Sequence, residues 1–268
     1  MATTRAKPAA RTPDDRMTLT EHLAELRSRI MKCMLAVIVG AVALFGPLWE
    51  WLRETLRQPY KQVCLSHPAW NCKGEFLLPD PMSGFLTRTR LAGWGGLVIA
   101  LPVVLWQIWR FVVPALHAKE KRYAIPFVLS SVLLFLFGSY IAWIVYPKSL
   151  EFLVSYAGAN TVVTFTFDKY TRLLTLMMLA FGTGFLFPVL IVFLQLVNVL
   201  TPRKLIGWWR QALVGILVAA AVITPSGDLP SLFGLAVPMW VFYFAAIFIG
   251  WLLTRKRRKV ALAADADD

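Results

Sequence analysis

Six apolar runs recur along this 268-residue chain, at roughly 30–48, 91–113, 124–146, 173–197, 211–223 and 232–253. Together they leave it few ways to fold. About 20 apolar residues are needed for a helix to cross the hydrocarbon core of a bilayer, and the long runs meet that length. A backbone in lipid must satisfy its own polar groups, so only helices or closed barrels span. Barrel strands alternate apolar and polar residues with period two, and these runs do not. The expectation is an all-α integral membrane protein with six transmembrane helices. Pro102, Pro126, Pro188 and Pro238 lie in or at the ends of the runs. Each removes a backbone donor and can bend its helix, which suits a bent, cupped bundle. No polar stretch is long enough for a soluble domain. Residues 1–18 read as a disordered cytoplasmic tail, 19–254 as the membrane domain, and 255–268 as a basic, then acidic cytoplasmic tail.

The formal charge of +13 invites a nucleic-acid reading. Topology explains it better, because the basic residues cluster in alternate loops. Arg27, Arg29 and Lys32 flank the first run, Lys119, Lys121 and Arg122 follow the second, and Arg203, Lys204 and Arg210 follow the fourth. The segment 255–259 is entirely basic. The positive-inside rule then puts both termini in the cytoplasm. Residues 1–15 contain no apolar h-region, so the first run must act as its own insertion signal.

The fifth run would rise only about 20 Å against a core of about 30 Å. Trp208 and Trp209 suit an interfacial anchor at its inner end, and residues 224–228 form a tight turn beyond it. The last two helices are therefore expected to be short, thinning the bilayer or packing on a partner. The outer segment 50–84 reads as a proline-rich loop holding Cys64 and Cys72. Outside the membrane these are either a disulfide closing a small loop or two free thiols. Cys33 lies in the first run as a small core residue.

Catalytic chemistry finds little support. His22, His67 and His117 are scattered, no C-x-x-C or H-E-x-x-H occurs, and no phosphate loop is present. No serine has an obvious base on a neighbouring run. The chain is read as a non-enzyme without a cofactor. The runs are nearly free of carboxylates, which gives an ion-relay transporter little to work with. Gln107, Gln195, Thr175 and Thr183 are their polar residues of interest. Two inner-surface carboxylates remain. Glu25 sits one turn before Arg29 and either pairs with it or receives a cation from outside. Glu120 is either a solvated loop charge or a second such receiver.

Several motifs, in order, resemble the TatC family, the multi-spanning receptors of the twin-arginine protein translocase. His22-Leu23-Ala24-Glu25-Leu26-Arg27-Ser28-Arg29 is similar to its H-L-x-E-L-R-x-R start. Residues 102–116 are similar to its second span and exit, and Lys119-Glu120-Lys121-Arg122 to the E-[KR]-R loop after it. Phe181-Gly182-Thr183-Gly184-Phe185-Leu186-Phe187-Pro188 and Thr224-Pro225-Ser226-Gly227-Asp228 resemble later landmarks. The resemblance implies a receptor and scaffold for signal peptides of cargo exported already folded, driven by the proton motive force. It implies that Glu25 and Glu120 receive the signal's two guanidinium groups, with Arg27 and Phe111 at other recognition positions. It also implies single-span TatA- and TatB-like partners and further copies of the chain in the bilayer, and no nucleic acid. Guanidinium forms a forked, charge-assisted pair with a carboxylate that lysine cannot reproduce, which rationalises a requirement for arginine.

The chain departs from the family pattern in its fourth span, where many members carry a glutamate and this one has Leu186. On an unbroken helix Thr183 and Thr175 share the Leu186 face, so partner contacts there become apolar or threonine-mediated. Leu186, Thr183, Gln107 and Asp228 are the candidate partner contacts, Asp228 alternatively only capping the outer turn. The competing reading is a secondary transporter of a small anion, which predicts a central polar pocket and internal repeats.

Overall fold

The structure is a computed structural model that describes residues 19–66, 76, 79–112, 124–156, 165–196 and 199–264, with main chain only at 19–22, 112, 124 and 253–264. Every regular element among these residues is helical. The long elements are α1 (Leu19–Phe45), α3 (Pro81–Val112), α4 (Ala124–Ser155) and α9 (Leu229–Ala264). Between them lie α2 (Trp49–Ser66), α5 (Phe167–Gly184), α6 (Leu186–Leu196), α7 (Pro202–Gly207) and α8 (Trp209–Ile223). Five spans are long and apolar enough to cross a membrane: residues 23–45, 81–111, 125–155, 229–252, and α5 with α6 taken as one span. The shorter apolar α8 joins them.

The fourth crossing is broken. α5 ends at Gly184 and α6 starts at Leu186. Pro188 explains the position, since its ring clashes with the carbonyl four residues back, which is that of Gly184. The Phe185 amide still bonds Phe181 O at 3.0 Å, and the Phe185 ring is fully buried. The core runs along this broken helix. Leu174, Met177, Phe181 and Phe185 pack with Tyr146 of α4 and with Leu235 and Met239 of α9.

The outer segment, expected as a loop, holds the 18-residue helix α2. Leu56, Pro59, Tyr60 and Val63 are its buried face. Pro59 has no amide, and its ring disturbs the helix around it. A side chain from α5 bridges the backbone groups of Leu56 and Tyr60 beside it. The Tyr170 hydroxyl donates to Leu56 O at 2.9 Å and accepts from Tyr60 N at 3.1 Å. Tyr146 in turn donates its hydroxyl to Tyr170 O at 2.8 Å. Tyr60, Phe76 and Tyr170 stack around this junction at centroid distances of 4.3–5.6 Å.

Of the last two crossings only the fifth is short. α8 has 15 residues, whereas α9 has 36, with 24 of them (229–252) in its apolar span. The expectation of a short last helix is corrected, because α9 starts just after the turn, at Leu229, and its helical main chain runs on through the basic segment to Ala264. Cys64 is disulfide-bonded and Cys33 is a free thiol. Cys72 lies outside the described residues.

Candidate functional site

The N-terminal half of α1 and the C-terminal half of α3 are brought side by side by a glycine contact. A Cβ on Gly96 would lie 2.5 Å from Ala41 N and 2.8 Å from Val37 O, and one on Gly40 would lie 3.0 Å from Gly96 O. Only glycine at Gly96 lets the two backbones approach this closely. Arg29 lies eleven residues before Gly40, and Gln107 eleven after Gly96. Eleven residues make about three full helical turns, so each polar residue shares its glycine's face. In an antiparallel pair both offsets lead to the same end. There Gln107 Oε1 accepts from Arg29 Nη1 at 3.4 Å, and Arg29 Nη2 pairs with Glu25 Oε1. The Arg29 side chain is 13% exposed and that of Glu25 26%, so the site is half-sheltered.

Around this pair Arg27 and Arg110 are exposed, and Phe111 near the end of α3 is half-buried. Trp109 is buried against Phe127 at 4.5 Å and Phe193 at 5.2 Å. This aromatic cluster ties the C-terminal parts of α3 and α6 to the N-terminal part of α4. Glu120 lies outside the described residues. The ion pair open to the sequence reading, Glu25 with Arg29, is formed. Its third member, Gln107, comes from another helix.

The candidate partner contacts are spread over the molecule. Thr183 is exposed on a lateral groove of about 600 Å³, together with Phe187, Leu205, Trp208, Gln211 and Gly215. Its hydroxyl donates back to Leu179 O at 2.8 Å and Ala180 O at 3.0 Å, so this face is effectively apolar. Leu186 is half-buried beyond the break, and α5 and α6 do not share the unbroken face that the pattern implied. Gln195 is buried and donates to Ala246 O of α9 at 3.0 Å. Asp228 is 1% exposed and caps α9, accepting from Ser231 N and Ser231 Oγ at 2.7 Å. Ser231 Oγ also meets Ser149 Oγ of α4 at 2.7 Å. Gly227 supplies the positive φ of 62° in the turn before the cap.

The opposite end of the bundle carries polar contacts that sequence reasoning missed. Arg88 donates through Nε to Phe45 O at 2.9 Å, and its guanidinium lies 4.7 Å from the Phe45 ring and 5.0 Å from that of Trp49. A cation at the C-terminus of α1 satisfies an orphan carbonyl and complements the helix dipole. Thr87 Oγ1 and Arg90 Nη2 both donate to Asp168 Oδ1, at 2.8 and 2.5 Å. The spacing of Thr87 and Arg90 is a helical i, i+3 signal, but their shared acceptor on α5 is visible only in three dimensions. On α2, Glu54 is held below the usual carboxylate range, first by the hydrogen bond from Lys61. Among the described residues no cluster of histidine, cysteine or carboxylate side chains could hold a metal ion.

Comparison with known proteins gives a consistent family. Residues 21–238 match the family described as TatC, Sec-independent protein translocase protein. The Sec-independent protein translocase protein TatC of Aquifex aeolicus is 32% identical over 253 residues, covering 92% of this chain and all of that one. Its counterpart in Frankia casuarinae is 32% identical over 268 residues, covering 95% of this chain and 72% of the relative. A crystal structure of a twin-arginine translocase receptor, TatC in DDM, superposes with a TM-score of 0.69 at 32% identity. That match covers 86% of this chain and 99% of the other. With helices of membrane-spanning length throughout, the chain belongs to the TatC family, as a multi-pass cytoplasmic-membrane component of the Sec-independent protein translocase and not an enzyme.

Proposed function

We propose that the protein is the receptor and scaffold subunit of its translocase. It binds twin-arginine signal peptides at the cytoplasmic face, with both of its termini on that side. Glu25 and Glu120 receive the two guanidinium groups, while Arg27 and Phe111 flank the bound segment. The observation that carries this reading is that Glu25 already holds a guanidinium, that of Arg29, in a half-sheltered site at the inner end of α1. A carboxylate that is partly desolvated gains more from such a pair than an exposed one, whose pairs are worth about 0–1 kcal/mol. The signal's apolar segment packs on the concave helical surface beyond. Single-span TatA- and TatB-type partners dock laterally, against the groove that includes Thr183 and beside Leu186, through apolar contacts. Gln107 serves the inner site, and Asp228 shapes the outer turn. Cys64 pairs with Cys72 in the outer segment. Two lateral grooves among the described residues are lined almost wholly by apolar side chains, which favours apolar partners over a small anion there.

The test is crosslinking of a twin-arginine signal peptide to the purified protein beside its twin-lysine version. Arginine-selective labelling that falls at least tenfold in Glu25→Ala and Glu120→Ala is expected, since each removes a charge-assisted pair worth about 1.5–3 kcal/mol. Equal labelling by both peptides, indifferent to both substitutions, refutes the receptor reading.

A further inference from the structure

Arg29 presents to Glu25 the same chemical group that an incoming signal would bring, and its bonding is incomplete. Nη2 meets one oxygen of Glu25, Nη1 reaches Gln107 only at 3.4 Å, and Nε is buried with no acceptor among the described residues. A pair selected for stability gains most when the guanidinium fork is fully used, because any desolvated donor left over carries a cost. Arg29 therefore leaves part of its guanidinium fork unused although its side chain is only 13% exposed. It also has a second acceptor, Gln107, on a different helix from the carboxylate. A side chain so placed can give up Glu25 without losing every partner.

We infer that Arg29 is a resident competitor for the Glu25 carboxylate, and that Gln107 is the acceptor that retains it after a signal arginine has displaced it. This rests on the receptor reading above and adds to it what sets the strength of the site. Displacing Arg29 costs the same whichever ligand arrives. It therefore lowers every affinity by a common factor and leaves the arginine-to-lysine ratio untouched. The effect is a threshold. Ligands with a strong forked contact stay above useful occupancy, and weaker cations drop below it.

The experiment measures equilibrium binding of labelled twin-arginine and twin-lysine signal peptides to the full-length protein in nanodiscs. Arg29→Gln is expected to tighten both peptides by the same factor, roughly three- to tenfold, as loss of a half-sheltered competing pair implies. Gln107→Leu is expected to act in the opposite direction, weakening both, because the displaced arginine then has no acceptor. Lys32→Gln removes an exposed charge one turn away and controls for simple repulsion. Its effect should vanish at high salt, while that of Arg29→Gln persists. Phenylglyoxal labelling of the native protein, read by mass spectrometry, should show Arg29 becoming more reactive when the twin-arginine peptide is added. A purely structural role would not move that signal.

Weaker or unchanged binding in Arg29→Gln, or a gain no larger than that of Lys32→Gln, overturns the inference. If Arg29→Gln does not fold, the labelling result decides, and unchanged Arg29 reactivity on peptide addition overturns it. Failure of the receptor reading looks different. The native protein then binds both peptides alike and Glu25→Ala changes nothing, and the inference falls with it.

Discussion

The Tyr170 hydroxyl bridges two backbone groups of helix α2, donating to Leu56 O and accepting from Tyr60 N. Tyr170→Phe removes both contacts and leaves a buried carbonyl and a buried amide facing a bare ring. A buried group left unsatisfied costs about 1–3 kcal/mol, so the substitution should lower the thermal unfolding midpoint in detergent by several degrees. An unchanged midpoint would mean that these two groups do not depend on the hydroxyl. Reading the sequence by residue types had mixed reach at this scale. The pair of Glu25 with Arg29 was legible because it is local, one helical turn apart. The contributions of Gln107 and Tyr170 were not, since each acts on a helix far away in sequence and neither spacing nor charge marks its partner.

Helices meet in this molecule by fine register. The contact of Gly40 with Gly96 fixes α1 against α3 and so aligns Arg29 with Gln107. Gly96→Ala would put a methyl group inside the distance at which backbone atoms can sit, an overpacking that costs about 1–3 kcal/mol. It should lower the unfolding midpoint and weaken twin-arginine peptide binding together. Gly93→Ala, whose added Cβ would find no atom within 4 Å, should do neither. The crossings were legible from their apolar length, and the break in the fourth could have been placed from Pro188 by counting back four residues. α2 was missed for an instructive reason. The prolines of segment 50–84 suggested a loop, yet Trp49, Leu52, Leu56, Tyr60 and Val63 recur at three- and four-residue steps, the pattern of an amphipathic helix. Proline count outweighed periodicity, and here periodicity was the better guide.

For the whole molecule, the lateral groove between the broken fourth crossing and the short α8 is the surface best formed to take an apolar helix. Gly215→Trp would place a large ring in that groove, at a position where an added Cβ meets nothing within 4 Å. Copurification of single-span partners should fall severalfold while twin-arginine peptide binding is retained. Undiminished copurification would move the docking face elsewhere. The groove was not visible in the sequence, because it needs the break at Phe185 and the packing of α7 to exist. The junction at Tyr170 has one more consequence, which concerns synthesis. Tyr170 follows Tyr60 by 110 positions. When α2 first emerges from the ribosome, the hydroxyl that bridges its backbone groups has not yet been translated. The Tyr60 amide and the Leu56 carbonyl gain that partner only once α5 has been made and packed against α2. The completed junction therefore reports that α2 and the core helix α5 have come together.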